Sequence, residues 1–338
     1  MKAVIIEGSF GIENVRIVER PEPSPGQGQA LLRIRAVSLN YRDLLMVRGT
    51  YNPRQALPLI PASDGVGEVV ALGAGVSRIA VGDRVCPIYA QSWHAGEPTI
   101  ARLRSTLGGP LDGTLAEYML VDAEGVVRAP KHLSDIEAAT LPCAALTAWN
   151  ALVTLAKLKP GQTILTQGTG GVSIFAVQLA RMLGARVIAT SSSYEKLARL
   201  RELGANDVIN YVENPEWGKL ARSLTEGRGV DLVVEVGGGK TLAQSLRAVR
   251  PGGEISMIGV LSGSTGELDL LPIVMQAVRV QGVQVGHRES FEAMNRAIYQ
   301  AQLRPIVDRV FAFDEARAAL SHLASGAHFG KLCIQIAS

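Results

Sequence analysis

The sequence predicts a mixed α/β protein with two domains, one rich in β-strands and the other built on a doubly wound parallel sheet. A length of 338 residues favours two domains over one. The first third contains short apolar runs separated by Gly and Pro, which is typical of β-strands. From Pro160 onward, strand-like and helix-like segments alternate, and this alternation predicts crossover units and a parallel sheet.

The strands of the first domain are predicted where apolar residues alternate or cluster between turn residues. These segments are AVII, ALLRIRAVSL, GVGEVVALG, GDRVCPIY and AEYMLV. The period then changes at LSDIEAATLPCAALTAWNALVTLAKL, where apolar residues recur every three or four positions. Ser134 with Glu137 three residues later matches the capping signal that begins a helix.

Strands and helices of the second domain are predicted in the order TILTQG, VSIFAVQLARMLG, ARVIATS, EKLARLRELG, DVINY, DLVVEVGG, TLAQSLRAV and GGEISMIGV. A helix, ESFEAMNRAIYQA, and a final strand, GKLCIQI, follow, and this tail is too short to stand alone. We therefore predict a first domain of residues 1–140 and 286–338 and a second domain of residues 141–285.

Composition excludes several classes of protein. The net charge of +3 is dispersed, with no run of five like charges, so no nucleic-acid partner is expected. Neither a signal peptide nor a membrane span is apparent, so we expect a cytoplasmic protein without a membrane partner. The three cysteines, Cys86, Cys143 and Cys333, are far apart, which argues against a disulfide framework and a cysteine-built structural zinc site.

A glycine-rich turn joins the first predicted strand of the second domain to its first helix. Gly168, Gly170 and Gly171 lie at this turn, and Ser173 stands where a strict fingerprint has its third glycine. Such a turn lets the backbone approach a pyrophosphate at a helix N-terminus. The alternative is a glycine-rich turn of an α/β sheet that binds no ligand.

The end of the next strand indicates which dinucleotide is bound. An acidic residue there accepts from the ribose 2′-hydroxyl of NAD(H), whereas a 2′-phosphate requires donors. The segment offers hydroxyls and an ammonium, which favour NADP(H), and Glu195 is the one acid nearby. The donors are Thr190, Ser191, Ser192, Ser193 and Lys196. A serine-rich helix cap is the alternative interpretation.

The chain resembles the medium-chain dehydrogenase/reductase superfamily over essentially its whole length. The resemblance rests on the order of the domains and on the segments GTGGVS and VIATSSSYEKLARLRELGANDVINY. NYRDLLMVRGTY and GVGEVVALGAGVSRIAVGDRV are similar to its zinc-free, quinone-oxidoreductase-like branch. The resemblance implies a Rossmann nucleotide-binding domain and a GroES-like catalytic domain.

Zinc alcohol dehydrogenases of that superfamily hold their catalytic metal with two cysteines and a histidine. By resemblance those three positions fall on Asn40, Ser63 and Cys143, so that one ligand remains. An amide oxygen and a hydroxyl are poor substitutes for imidazole and thiolate, even with Asp64 adjacent. We therefore expect no zinc, and we expect Cys143 to pack as a small hydrophobic residue.

The resemblance also implies catalytic residues. Tyr51 corresponds to a tyrosine proposed as proton donor in enoyl-reductase relatives, Asn40 would donate to a substrate carbonyl, and Arg42 would stabilise an anion. In the alternative, Asn40 and Asp43 hold the loop and Tyr51 only packs. Quinone oxidoreductases often carry a second tyrosine within this motif, where this chain has Leu45.

Further cofactor contacts are predicted at positions that the superfamily uses. They are Thr147 beside the nicotinamide, Tyr211 on the adenine side, Lys331 at a phosphate, and Val172, Val236, Ile258 and Gly259. Tyr211 and Lys331 could equally be surface residues, and a helix threonine such as Thr147 usually only caps or packs. Trp93 and His94 lie in a long loop that replaces the zinc lobe of the relatives. They are candidates for the substrate entrance, although a lone histidine such as His94 is more often solvent-exposed.

The sequence thus predicts an NADP(H)-dependent, zinc-independent reductase of activated C=C bonds, quinones or carbonyls that acts on a small-molecule substrate. A metal-free alcohol dehydrogenase or ketone reductase, and a nucleotide-binding protein without turnover, remain as alternatives. The segment VRVQGVQVG near residue 280 resembles the edge through which relatives dimerise, so we expect a homodimer.

Overall fold

The fold is given by a computed structural model, in which residues 1–336 are described. The chain divides into two compact units. Unit 1 comprises Met1–Leu146 and the segment from Val285 onward, and unit 2 comprises Thr147–Gln284. Within the described residues, no helix is both long and apolar enough to span a membrane.

The N-terminal part of unit 1 is mainly β-structure. Its elements are β1 (Lys2–Ile6), β2 (Val15–Glu19), β3 (Gln29–Leu39), α1 (Tyr41–Val47), β4 (Asp64–Leu72), β5 (Arg84–Pro87), α2 (Ile100–Leu103), β6 (Tyr118–Asp122), β7 (Val126–Arg128) and α3 (Asp135–Ala138). The five strands predicted from apolar runs are all present, whereas β2 and β7 are additional. Both are short, and β2 is exposed along much of its length, so the apolar pattern gave little signal for them.

The helical segment predicted over residues 133–158 is interrupted. α3 begins at the capping box of Ser134 and Glu137. Wide π-helical turns then cover Leu141–Ala145 and Asn150–Leu155, with α4 (Leu146–Trp149) between them. Pro142 lies in the first wide turn, where its missing N–H prevents a regular ladder of helical hydrogen bonds.

Unit 2 alternates strands and helices as predicted. The elements that follow α4 are β8 (Thr163–Gln167), α5 (Gly171–Met182), β9 (Arg186–Ser191), α6 (Tyr194–Glu202), β10 (Asp207–Asn210), α7 (Trp217–Ser223), β11 (Val230–Glu235), α8 (Leu242–Ala248), β12 (Val249–Met257), α9 (Leu271–Met275) and β13 (Arg279–Gly282). The strands form one parallel sheet in the order β10-β9-β8-β11-β12-β13. This is the doubly wound order, in which the direction of winding reverses between β8 and β11.

The C-terminal segment completes unit 1. It contains α10 (Arg288–Gln300), β14 (Val307–Ala312), α11 (Ala316–Ser325) and β15 (Lys331–Gln335), so β14 and α11 are added to the predicted helix and strand. The main sheet of unit 1 has the order β14-β15-β3-β4-β5-β7, and β6 also pairs with β3. The predicted fold class, a Rossmann-type parallel sheet with a β-rich GroES-like domain, is confirmed.

Each unit has its own hydrophobic core. In unit 1, β1, β3 and β4 bury residues such as Ile6, Leu32 and Val69 against α11. In unit 2, Leu165, Ile188 and Val233 from neighbouring strands form the centre of the core. Burial of these side chains supplies the main stabilisation of both units.

Candidate active site and nucleotide site

The turn after β8 has the geometry of a phosphate cradle. Gly168 has φ +69°, a left-handed conformation that favours glycine. A Cβ atom added at Gly168 or Gly170 would meet no heavy atom within 4 Å, so the backbone of the turn borders open space. Gly170 is the N-cap of α5, whose first N–H groups and positive dipole end are available to an anion. These residues fit a dinucleotide pyrophosphate.

Ser173 takes the place of the third glycine of the fingerprint. Its side chain is 2% exposed and its Oγ donates to the Gln167 carbonyl oxygen over 2.7 Å. The hydroxyl therefore supplies a hydrogen-bond donor to the last carbonyl group of β8. The side chain is small enough for α5 to lie close to the strand.

The loop after β11 is fixed by a buried carboxylate. Glu235 is fully buried and accepts hydrogen bonds from five neutral donors: Gln167 Nε2, Gly237 N, Gly238 N, Thr241 Oγ1 and Ser245 Oγ. Gln167 also accepts from the backbone N–H groups of Val236 and Gly237 at 3.3 and 3.2 Å. This network joins the carboxyl ends of β8 and β11, where the sheet changes its direction of winding.

The predicted 2′-phosphate residues at the end of β9 divide into two groups. Thr190 and Ser191 are 2% and 3% exposed, so their hydroxyls are largely removed from solvent. Ser192 is exposed, and Ser193 and Lys196 are half-buried. Ser193 also caps α6, because its Oγ accepts from the Lys196 backbone N–H at 3.4 Å. The helix-cap interpretation therefore applies to Ser193, while Ser192 and Lys196 remain at the surface.

The other predicted cofactor residues of unit 2 are distributed along the same end of the sheet. Tyr211 follows β10, Val236 follows β11, and Ile258 and Gly259 follow β12. Val172 lies in the first turn of α5. Because parallel strands share one carboxyl edge, the topology brings these segments to that edge, whereas Thr147 is buried on α4.

In unit 1, the sequence motif around residue 40 forms the junction between β3 and α1. Asn40 is the N-cap of α1, and its backbone N–H donates to Asp43 Oδ2 over 2.9 Å. The capping box explains the Asn and Asp at this spacing. The loop-holding role considered for these two residues is therefore present in the structure.

The structure gives Lys331 a different place from the predicted phosphate contact or surface position. Its side chain is 2% exposed, and its Nζ donates to Asn40 Oδ1 at 2.5 Å and to the Leu39 carbonyl oxygen at 2.6 Å. The pairing of Leu332 with Leu39 between β15 and β3 sets this position. Since an ammonium requires an acceptor, the Asn40 amide oxygen must face Lys331, and the amide nitrogen faces the other way.

Asp64, at the start of β4, receives several donors. Ser63 Oγ donates to Asp64 Oδ1 over 2.8 Å, and the Cys143 backbone N–H donates to Asp64 Oδ2 over 3.0 Å. Burial raises the pKa of Asp64, against the opposing effects of Lys331 and of the hydrogen bonds from Asn40 and Ser63. Burial likewise raises the pKa of Asp43 to about 6, although Arg42 opposes the shift.

The three positions that hold zinc in the alcohol dehydrogenases do not fit that metal here. The Asn40 oxygen already faces an ammonium, and Ser63 Oγ is a donor to Asp64. Burial and the nearby Asp64 raise the pKa of the Cys143 thiol, whereas zinc binds the thiolate. Among the described residues there is also no group of three or more His, Cys, Asp and Glu side chains suited to a metal.

Arg42 lies between two tyrosine rings. Its guanidinium carbon is 5.0 Å from the centre of the Tyr51 ring and 5.1 Å from that of Tyr89. Arg42 Nη1 donates to the Leu107 carbonyl oxygen at 2.6 Å and Nη2 to that of Gly109 at 3.1 Å. These bonds hold the guanidinium in place and occupy N–H groups of both terminal nitrogens.

The sequence motifs did not point to Tyr89, which lies beside Arg42 in the folded chain. It follows β5 in the ordinary strand-like segment RVCPIY, and only the folded chain brings it to Arg42. Tyr89 is 6% exposed, whereas Tyr51 is 51% exposed.

Trp93 is buried, whereas a residue lining the substrate entrance would be expected at the surface. It is 3% exposed, donates from Nε1 to the Gly96 carbonyl oxygen at 2.8 Å, and packs with Tyr89, Ala90 and Cys143. His94 is half-buried, with Nε2 3.0 Å from the Gln91 carbonyl oxygen. The loop therefore contributes Trp93 to an apolar wall beside Tyr89.

Comparison with known proteins identifies the class of the two units. Residues 26–131 match the model of the alcohol dehydrogenase GroES-like domain, and residues 171–300 match that of the zinc-binding dehydrogenase family. The protein is an oxidoreductase.

Relatives extend over the whole chain. A zinc-type alcohol dehydrogenase-like protein of Schizosaccharomyces pombe is 39% identical over 99% of both chains. The crystal structure of a putative alcohol dehydrogenase from Sinorhizobium meliloti is 43% identical over 95% of both chains, with a TM-score of 0.90. This chain belongs to the medium-chain dehydrogenase/reductase superfamily, as the sequence motifs predicted.

Similar proteins differ in their named activities and ligands. An acryloyl-coenzyme A reductase of Metallosphaera sedula is 28% identical over 99% of both chains. A mycobacterial structure complexed with NADPH is 26% identical over 99% of this chain and 100% of that one, with a TM-score of 0.83. A cobalt- and zinc-bound alcohol dehydrogenase from Pyrobaculum aerophilum is 30% identical over 99% of both chains, with a TM-score of 0.84.

Proposed function

We propose that this protein is an NADPH-dependent, zinc-independent reductase of small molecules with an activated C=C bond, a quinone or a carbonyl group. The observation that carries the proposal is the arrangement in unit 1 of an exposed phenol beside a buried guanidinium and an amide oriented by an ammonium. These are Tyr51, Arg42, Asn40 and Lys331. By resemblance, Asn40 is one of the three positions at which zinc relatives hold their metal.

The chemistry divides between the units. A reduced nicotinamide cofactor, when bound, supplies the hydride. The phosphate cradle at Gly168 and Gly170 would hold its pyrophosphate in unit 2. In unit 1, the Asn40 amide oxygen accepts from Lys331, and the amide nitrogen, which donates to Ser63 Oγ at 3.4 Å, would share its N–H groups with the substrate oxygen. Arg42 adds positive charge near the developing anion, and Tyr51 donates the proton.

Conjugated substrates suit such a site. An enone or a quinone spreads the incoming negative charge over several atoms, so neutral donors and a fixed cation are sufficient to stabilise it. The relative named acryloyl-coenzyme A reductase supports this substrate class. A metal-free alcohol dehydrogenase or ketone reductase is the second candidate, supported by the relatives named alcohol dehydrogenases.

The test compares Tyr51→Phe with the parent enzyme in steady-state assays with an enone, a quinone, a ketone and a secondary alcohol. We expect turnover of the enone or quinone by the parent and a loss of roughly 10²- to 10⁴-fold in kcat for the variant. Turnover that is lost on chelation and restored by zinc would contradict zinc independence. Tight NADPH binding without consumption of any acceptor would instead indicate a protein without turnover.

Preference for NADPH rests on the end of β9, where Ser192 and Lys196 lie at the surface. We propose that they contact the 2′-phosphate, and the NADPH-bound mycobacterial neighbour supports this assignment. Lys196→Met should weaken NADPH binding by roughly tenfold and leave NADH binding unchanged, since a charge-assisted bond to a phosphate is lost. Equal Kd values of the parent for NADPH and NADH would contradict it.

A homodimer is the proposed assembly. β13 is the last strand of the unit 2 sheet, so one of its edges has no strand beside it among the described residues. Val280 on this strand is 41% exposed, and Val274 and Met275 nearby are more than 70% exposed. A second copy of the chain would cover this apolar edge. Val280→Arg should lower the mass measured by light scattering from dimer to monomer.

A further inference from the structure

A chain of hydrogen bonds joins four segments of unit 1 around the side chain of Asn40. Lys331 Nζ, at the start of β15, donates to Asn40 Oδ1 over 2.5 Å, and Asn40 Nδ2 lies 3.4 Å from Ser63 Oγ. Ser63 Oγ is 2.8 Å from Asp64 Oδ1, and Asp64 Oδ2 accepts from the Cys143 backbone N–H over 3.0 Å. Ser63 and Asp64 are fully buried, so these side chains depend on one another for their hydrogen bonds.

The direction of the chain is fixed at the end that Asp64 forms. A carboxylate accepts hydrogen bonds and donates none, so the Ser63 hydroxyl gives its single proton to Asp64 Oδ1. With that proton engaged, Ser63 Oγ can only accept from its other neighbour. The atom of the Asn40 amide that faces Ser63 is therefore the nitrogen.

The end that Lys331 forms gives the same orientation independently. An ammonium has donors and no acceptor, so the atom of the Asn40 amide that faces Lys331 is the oxygen. A flipped amide would turn its NH₂ group toward the ammonium and its oxygen toward Ser63 Oγ, and both hydrogen bonds would be lost. Every bond of the chain thus donates in one direction, from the ammonium to the carboxylate, and bonds aligned in this way strengthen one another.

We propose that Ser63 is a positioning residue for the reaction, whose oxygen holds the Asn40 amide nitrogen so that this nitrogen presents its second N–H to the substrate oxygen. The inference rests on the proposed function, in which Asn40 donates to that oxygen. An amide nitrogen carries two hydrogens, so it can donate to Ser63 and to a substrate at the same time. The Ser63 hydroxyl itself is no donor to substrate, because Asp64 accepts its proton.

This role replaces the one that the same positions have in zinc relatives. By resemblance, Asn40, Ser63 and Cys143 fall where those proteins bind their metal. Here the Asn40 and Ser63 side chains bond to each other, and the Cys143 backbone N–H holds Asp64, which in turn orients the Ser63 hydroxyl. The three positions together would therefore orient a neutral donor.

The experiment is a double-mutant cycle in the full-length enzyme, with Ser63→Ala, Asn40→Asp and the double variant assayed on the best enone or quinone substrate. Asn40→Asp keeps an oxygen for Lys331 but has no side-chain N–H, so it should lower kcat by more than roughly tenfold. Ser63→Ala should lower kcat by roughly 3- to 10-fold, since a neutral hydrogen bond is lost, with the NADPH Kd unchanged in a fluorescence titration. In the Asn40→Asp background, Ser63→Ala should change kcat by less than about twofold, because Ser63 acts through the amide nitrogen.

Ser38→Ala is the matched control. Ser38 is also a fully buried serine of unit 1, and its Oγ donates to the Leu332 carbonyl oxygen over 3.2 Å. Its loss removes a buried hydroxyl that is not part of the chain. We expect lower thermal stability for Ser38→Ala, as for Ser63→Ala, but a kcat within about twofold of the parent.

Three results would overturn the role of Ser63 and leave the proposed function intact. They are an unchanged kcat in Ser63→Ala, losses that multiply in the double variant, and a kcat loss in Ser38→Ala as large as that in Ser63→Ala. If Asn40→Asp retains the turnover of the parent, the donor named in the proposed function fails, and the role of Ser63 fails with it.

Discussion

Asp64 in unit 1 and Glu235 in unit 2 are both fully buried carboxylates, and they are stabilised in opposite ways. Glu235 accepts from neutral donors that belong to the loop it organises. Asp64 lies near the buried ammonium of Lys331, and Asn40 interacts with both side chains. The first arrangement fixes a backbone, whereas the second keeps a charge pair beside the proposed site of proton transfer.

The largest effect is expected from a substitution that removes one member of the charge pair of Asp64 and Lys331. Lys331→Met should lower the free energy of unfolding by on the order of 3–5 kcal/mol at pH 8, because a buried carboxylate loses its compensating cation. The loss should be smaller at pH 5, where Asp64 can take up a proton, since the pKa of Asp64 is already raised by burial. Chemical denaturation at both pH values measures this effect.

The double variant Lys331→Met with Asp64→Asn sharpens the same test. It removes both charges, so we expect recovery of more than half of the lost stability. No recovery would mean that Lys331 stabilises the fold through its packing and its bond to Leu39 rather than through charge.

Sequence reasoning could find the features that depend on local chain geometry. The turn at Gly168 was predictable because strand, turn and helix are consecutive in the chain, and the conformation at this position favours glycine. The capping box of Asn40 and Asp43 was predictable for the same reason. The doubly wound sheet followed from the alternation of elements.

Features that depend on contacts between distant segments were not predictable. Lys331 is 291 residues from Asn40, and its burial follows from the pairing of β15 with β3. Tyr89 approaches Arg42 only when β5 and α1 have packed. No spacing rule connects such positions, so the sequence alone placed the ammonium of Lys331 on a phosphate or at the surface and left Tyr89 unnoticed.

A second prediction concerns the pH dependence of unit 1. The pKa of Asp43 is raised to about 6 from an ordinary value of 3.8. The folded protein therefore holds a proton that the unfolded chain has released in this interval, and the free energy of unfolding falls as pH rises from about 4 to about 6. The contribution of Asp43 is roughly 3 kcal/mol at most.

Asp43→Asn isolates this contribution, because the amide oxygen can still accept from the Asn40 backbone N–H. Urea denaturation at intervals between pH 4 and pH 7 should give a flatter profile for the variant than for the parent. Parallel profiles would show that Asp43 does not titrate in this range.

The third prediction tests the network of neutral donors around Glu235 in unit 2. Glu235→Gln places an amide nitrogen opposite donors such as Gln167 Nε2, so at least one buried donor loses its acceptor. We expect a loss of about 1–3 kcal/mol in stability and weaker NADPH binding, since the loop at Val236 and Gly237 is no longer fixed. Thermal unfolding and fluorescence titration measure the two effects.

Unchanged stability together with unchanged NADPH binding in Glu235→Gln would mean that the donors around Glu235 do not depend on the carboxylate.

The smallest effect is expected at Cys143. Its backbone N–H donates to Asp64, and burial raises the pKa of the thiol, which disfavours the thiolate form that a nucleophile or a zinc ligand needs. Cys143→Ala keeps that N–H and should change kcat by less than about threefold, with a stability loss of about 1 kcal/mol from the smaller side chain. Asp64→Asn should be measured beside it, because that substitution changes the group that accepts the hydrogen bond from the Cys143 backbone N–H. A loss of turnover in Cys143→Ala as large as that of Tyr51→Phe would mean that the sulfur takes part in the reaction, and the separation between backbone and side-chain roles in unit 1 would no longer hold.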